Sequence, residues 1–212
     1  MVGVDNRRKH NAVERRRSLC DAAIALLAED GPRGLSHLKV DRRAEVPDGT
    51  TSFYFRTRTA LLHGVADQLV RYDAEAFAAA FKDAPIGDGD VIATRLARQI
   101  LSIREDPQLS RTRARLELSL LARGDPVLSE NFAQMGESFR GIVERLVIAA
   151  QPEHGPLDRD LLDEQISVVL SYLGGRILAF ASGSAEPLAS DDIVRQLRAV
   201  IAGVAAVRPT VG

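Results

Sequence analysis

Leu35–Leu62, LSHLKVDRRAEVPDGTTSFYFRTRTALL, is the stretch whose reading decides the fold. Ser36 is a good N-cap, because its hydroxyl can accept from a free N–H of the first turn, and it predicts a short helix over 37–43. Val46-Pro47-Asp48-Gly49 is a turn signal. A second short helix can start near Pro47, since proline is tolerated in a first turn. Thr57 then caps a longer helix through Leu61, Leu62, Val65, Leu69 and Tyr72, reaching Phe81. Two short helices joined by a tight turn on a supporting helix make a helix-turn-helix. The competing reading is local. Val-Pro-Asp-Gly is also a plain β-turn sequence, and Thr-Ser-Phe-Tyr-Phe has strand propensity, so residues 50–55 alone fit helix or strand. The spacing of the whole segment and its basic flanks favour helix.

Upstream, Leu19, Ala23, Leu26 and Leu27 make one apolar face of a helix from Val13 to Glu29, and Gly31-Pro32 ends it. Residues 1–10 are polar and charged, and are expected to be a disordered basic tail. Downstream, Asp83–Gly89 is a linker. Helical periods follow, broken at Pro107, Gly124-Asp125-Pro126, Gln151–Pro156 and Gly183–Pro187. No strand-like alternation survives beyond Phe55, and there is no internal repeat. The expectation is an all-α chain of about nine helices: a tail (1–10), a helix-turn-helix head (11–58) and a larger helical body (59–212).

Composition narrows the function classes. With 45% hydrophobic and 27% charged residues over 212 positions, the chain can bury a core without staples. Cys20 is the single cysteine, which excludes an internal disulfide. No apolar run approaches the ~18 residues of a membrane span, and no leader-like apolar segment opens the chain. A cytoplasmic protein is expected. The net charge of −1 is unevenly spread: residues 1–58 hold 12 Lys and Arg against 8 Asp and Glu, while residues 59–212 hold 16 against 21. A basic head on an acidic body points to a polyanion at one end.

Catalytic chemistry is absent from the pattern, and neither an enzyme nor a cofactor is expected. His37 and Asp41 are one helical turn apart, but no third ligand stands at a telling spacing, so no metal site is assigned. The bland reading places His37 near phosphate and Asp41 bonded to Lys39, Arg42 or Arg43. Cys20 reads as a small buried hydrophobe. Asp88 or Asp90, and Asp191-Asp192, read as helix-start residues.

The second short helix has the chemistry of a groove reader. Gly49, Thr50, Thr51 and Ser52 are small and mostly hydroxylated, so the backbone can approach DNA and the hydroxyls can bond phosphates or base edges. Phe53 and Phe55 are expected to face inward, with Tyr54 toward the groove or the DNA backbone. Arg56 and Arg58 lie just beyond, where cations neutralise phosphate. No basic residue falls between Val46 and Phe55, so affinity would rest on flanking cations: these two, Lys39, Arg42, Arg43, Arg7, Arg8, Lys9 and Arg15–Arg17. The DNA-contact candidates are Ser36, His37, Lys39, Asp48, Gly49, Thr50, Thr51, Ser52, Tyr54, Arg56 and Arg58. The alternative is a helical ligand-binding or interaction protein without operator binding.

Four motifs in order carry a family resemblance. Ala22-Ala23-Ile24 through Leu27 to Gly31 forms a small, apolar first helix ending at glycine, and Leu35-Ser36 opens the second. Ala44-Glu45-Val46-Pro47-Asp48-Gly49-Thr50-Thr51-Ser52-Phe53-Tyr54-Phe55 follows, and Thr57-Arg58-Thr59-Ala60-Leu61-Leu62 closes the set. From Arg15 to Val65, about a quarter of the chain, this resembles the DNA-binding domain of the tetracycline-repressor (TetR) type of bacterial regulators. There are departures. Glu45 replaces the turn glycine, leaving that turn less left-handed or strained. Pro47 replaces the usual serine cap, so that Asp48 would cap instead. Thr51-Ser52 replaces Leu-Tyr, and Arg58 replaces lysine.

The resemblance implies a ligand-responsive repressor that binds a palindromic operator as a homodimer and is released by a small effector. It implies a dimer interface on the last two helices, with Ile166, Leu170, Leu173, Gly174, Ile177, Ile193, Leu197, Val200 and Val204 as candidates. It also implies an effector pocket in the body. Phe77, Leu101, Leu116, Leu120, Phe132, Met135, Phe139 and Tyr172 are the candidate walls, and their apolar character suggests an apolar ligand.

Overall fold

A computed structural model describes residues 2–83, 88–151, 158–184 and 186–207, with side chains from Asn11 onward. The expected linker at 83–89 and the break at 151–156 lie largely outside the described residues. Nine α-helices and one short 3-10 turn account for the described secondary structure, and no strand occurs among the described residues. None of these helices is long and apolar enough to cross a membrane.

The chain forms two compact units. The first comprises residues 1–74 and 110–133. It holds α1 (Val2–Gly34), α2 (His37–Arg43), α3 (Thr50–Tyr54), the start of α4 (Arg58–Phe81), α6 (Gln108–Leu121) and the start of α7 (Pro126–Ala149). The expected apolar face of α1 is buried: Leu19, Ala23, Leu26 and Leu27 meet Val40 of α2, Leu61, Val65 and Leu69 of α4, and Leu118 of α6. α1 breaks at Gly31 (φ 64°, ψ −170°), where Gly31-Pro32 was expected to end it, and one further turn reaches Gly34. At its other end α1 extends back to Val2, in place of the disordered tail. Once a packed helix exists, each added residue costs little, so a proline-free segment can continue it even through Gly3.

Polar groups tie α1, α4 and α6 together inside this unit. The Tyr72 hydroxyl donates to Asp21 at 2.6 Å and accepts from Arg17 Nε at 3.1 Å. Arg111 of α6 stacks on the Tyr72 ring, 3.7 Å from its centroid. Beside it Arg115 pairs with Asp73 at 2.6 Å. Burial pushes the Asp73 carboxyl above its ordinary range, against the opposing pull of Arg115.

The second unit comprises residues 75–109 and 134–212. It contains α5 (Gly89–Ser102), the rest of α7, α8 (Arg159–Ala181) and α9 (Ser190–Val207). Asp88 caps α5 by accepting from Val91 N at 3.0 Å, and Asp192 accepts from Ala189 N at the start of α9, as their sequence positions suggested. Ile92, Leu96 and Ile100 of α5 pack with Ile166, Val169 and Leu173 of α8 and Ile193, Leu197 and Ile201 of α9.

Candidate nucleic-acid interface

The two short helices form as their spacing predicts, but the turn between them is built differently. Ser36 caps α2, its hydroxyl accepting from Lys39 N. Glu45 follows with φ 53°, so a side-chain-bearing residue occupies the left-handed region that the missing glycine would suit, and the turn is strained. α3 begins at Thr50 rather than near Pro47, with Gly49 (φ 94°) as its N-cap. Asp48 is therefore not the cap, since it precedes a residue that itself has no capping side chain.

The cap comes from across the turn. Asp41 of α2 is only 1% exposed, and its carboxylate accepts from Gly49 N at 2.7 Å, Thr51 N at 2.6 Å and the Thr51 hydroxyl. One turn earlier on α2, His37 Nε2 donates to Phe55 O at 2.7 Å, at the other end of α3. The His37–Asp41 pair is thus neither a metal site nor a phosphate contact beside a salt bridge; its spacing lets one helix grip both ends of the next. Lys39 and Arg43, proposed partners for Asp41, pair instead with Asp30 and Glu29 of α1. No group of three or more metal-ligating side chains occurs among the described residues.

The faces of α3 follow helical geometry. Thr51 and Phe55 are four residues apart and share the inner face, at 0% and 1% exposure. Phe53, expected to point inward with Phe55, is 79% exposed. An i, i+2 inward pair belongs to a strand; in a helix the two positions diverge by about 200°. Thr51, a candidate DNA contact, is buried and cannot reach a groove. Tyr54 is half-buried against the core rather than turned fully outward. Ser52 and Phe53 of the helix are exposed, as are its N-cap Gly49 and Arg56 beyond its end.

Several cations have structural partners. Arg58 donates to Leu35 O at 2.9 Å and to Pro32 O, pinning the start of α4 to the end of α1. Arg16 donates to Tyr54 O at 2.8 Å and stacks 4.3 Å from the centre of the Phe55 ring. Sequence reasoning missed this role, and missed Asp41 as the α3 cap. Arg42 and Arg56 are exposed and engage no partner among the described residues. Gly64 of α4 completes the seat, since a Cβ there would lie 2.4 Å from a Phe55 ring carbon.

The body candidates are scattered. Leu116, Leu120 and Phe132 fall in the first unit, and Phe77, Leu101, Met135, Phe139 and Tyr172 in the second. Leu120 is 72% exposed and lines no enclosed wall. Phe77 and Phe139 meet at 6.0 Å between ring centres. A cleft of about 690 Å³ in the second unit, floored by Leu146, Leu197 and Ile201, contains none of the eight. Four expected interface residues, Ile166, Leu173, Ile193 and Leu197, are buried in the core of their own chain. They occupy the inner faces of α8 and α9, where periodicity alone cannot separate an intrachain partner from a second subunit. Leu170, Ile177, Val200 and Val204 are partly buried, and Gly174 is exposed with open space around it.

The described residues build a helix-turn-helix within one helical unit, and a second helical unit. No protein-family model and no curated protein matches the sequence. Solved structures do match. A transcriptional regulator from Rhodococcus sp. Rha1 aligns with a TM-score of 0.69 at 18% identity, over 92% of this chain and 99% of that one. A TetR-family member from Streptomyces coelicolor A3 aligns at 0.66 and 23% identity, over 88% and 98%. The multidrug binding protein EbrR, solved with ethidium, aligns at 0.60 and 23% identity, over 88% and 98%. The chain has the all-α fold of the TetR-family regulators.

Proposed function

We propose that this chain is a DNA-binding transcriptional regulator, a repressor that binds a palindromic operator as a homodimer and leaves it when a small molecule binds. The observation that carries the reading is the α2–α3 unit. A five-residue helix is held at both ends by side chains of its neighbour, and its solvent face is left for a groove, with Arg42 and Arg56 exposed and without a partner among the described residues. Ser36, Lys39, Asp48, Gly49, Thr50 and Ser52 stay as contact candidates around that face, with His37, Asp41, Arg16 and Arg58 positioning it. The neighbours by fold are regulators rather than enzymes.

Dimerisation would use the outer sides of α8 and α9, through Leu170, Gly174, Ile177, Val200 and Val204. Two heads would then meet half-sites about one helical turn apart, roughly 34–36 Å. The effector would be small and apolar, with Phe77 and Phe139 as its first contacts. The stack of Arg111 on Tyr72 joins α6, α4 and α1 inside the first unit. A ligand would act through its differential affinity for the operator-bound and free states. The site of action is the cytoplasm.

A mobility shift on DNA upstream of its own gene tests the reading. Retardation should weaken steeply with salt, with a slope near −0.9 per phosphate neutralised. One feature favours a second reading, a helical ligand-binding protein without operator binding: no base lies between Val46 and Phe55, and Asp48 is exposed. Absent or salt-independent retardation would support that alternative.

A further inference from the structure

We infer that Phe53 is the base-reading residue of the head, and that it recognises the 5-methyl group of a thymine in the major groove. The inference rests on the operator-binding reading above and names what its groove face selects. Phe53 is the largest side chain on the solvent face of α3 and the most exposed large hydrophobe there. Its neighbours on that face are Gly49 and Ser52, which are short, and Arg56, which lies beyond the helix end. None of the residues on α3 has the long amide or guanidinium that reads a purine edge in bidentate fashion.

A phenyl ring has neither donor nor acceptor, and the one feature of the major-groove code it matches is the thymine methyl. The ring also has an ordered neighbour. It meets Tyr54 edge-on at 5.3 Å, with planes at 82°, and Tyr54 is in turn packed on the core with its carbonyl taken by Arg16. The helix that presents the ring is anchored at both ends, so its backbone loses little freedom on binding. The exposed Arg56, three residues on in the chain, favours DNA over an apolar protein surface, against which that cation would gain no partner.

The test uses the operator found by mobility shift, with each thymine replaced in turn by deoxyuridine, which removes only the methyl group. Wild-type binding should weaken about fourfold at one symmetry-related position per half-site, the worth of a buried methyl group at ~0.8 kcal/mol. Replacing that pair by 5-methylcytosine–guanine against cytosine–guanine should reproduce the ratio, since the methyl sits in the same place. Phe53→Ala should bind thymine and deoxyuridine operators equally at that position, and Phe53→Leu should keep part of the difference. Equal wild-type affinity for every deoxyuridine operator overturns the inference while leaving operator binding intact. So does a methyl preference that survives in Phe53→Ala. A change in oligomeric state of Phe53→Ala without DNA overturns it too, placing the ring between protein copies. Failure of the wild type to bind any duplex overturns both readings.

Discussion

α3 and α9 are placed in this molecule by opposite means. α9 spans 18 residues and lays Ile193, Leu197 and Ile201 along one buried stripe. α3 spans five residues and buries only Thr51, plus Phe55 at its C-cap. Helices below ~12–15 residues are marginal on their own, and one turn cannot collect enough apolar area to fix its own orientation. What fixes α3 is hydrogen bonding to its ends: Asp41 at Gly49 N and Thr51 N, His37 at Phe55 O, and Arg16 at Tyr54 O. α9 is located by burial and α3 by polar grip. A helix held that way can leave one whole face free for a ligand.

Substitutions separate the two modes. The largest effect is expected in the body. Leu197→Ala removes a fully buried side chain shared by α5, α8 and α9 and should cost about 2–5 kcal/mol in urea unfolding. Next is Asp41→Ala, which leaves two N–H groups of α3 without their acceptor and should cost about 1–3 kcal/mol. Hydrogen exchange should localise that loss to 49–55, and DNA affinity should fall by more than the stability change implies. Gly64→Ala sets a gain of up to ~1 kcal/mol in helix propensity against overpacking of about 1–3 kcal/mol at the Phe55 ring, so a net loss near 1 kcal/mol is expected.

Glu45→Gly runs the other way. It relieves a left-handed residue and should stabilise the head by roughly 0.5–1 kcal/mol, read as a thermal midpoint a few degrees higher. The smallest effect concerns acid. The hydrogen bond from His63, at 2.7 Å, is the main cause that holds the Asp125 carboxyl below its ordinary range, assisted by Leu128 N and Val127 N at the start of α7. A carboxylate whose folded pKa is depressed contributes stability above its unfolded value, ~3.9, and loses it as pH falls through the lower folded value. Asp125→Asn should flatten that acid limb in a pH series of melting curves.

The same contrast explains what was legible. The long helices, their caps at Asp88 and Asp192, and the break at Gly124-Asp125-Pro126 follow from periodicity and turn chemistry, which are local. α2 was legible to the residue because Ser36 caps it. The inside and outside of α3 were not: reading Phe53 with Phe55 borrows a strand period, and only the partner of Thr51 shows which face is inner. Asp41 and Arg16 act on backbone 10 and 38 residues away, and a backbone carbonyl or N–H has no signature in sequence. The body surfaces were obscure for another reason. Apolar periodicity says that a side is covered, and not whether α5 of the same chain or a second chain covers it.

The most direct test is to select bound duplexes from a random pool with wild-type protein and with Asp41→Ala. The wild type should enrich an inverted repeat with half-site centres about 10 base pairs, one helical turn, apart or a multiple of that. Asp41→Ala should retain weak, salt-sensitive binding and enrich nothing. A wild-type pool with no enriched sequence, or an Asp41→Ala pool enriching the same repeat with equal strength, would contradict the assignment of α3 as a reading helix held in place by α2.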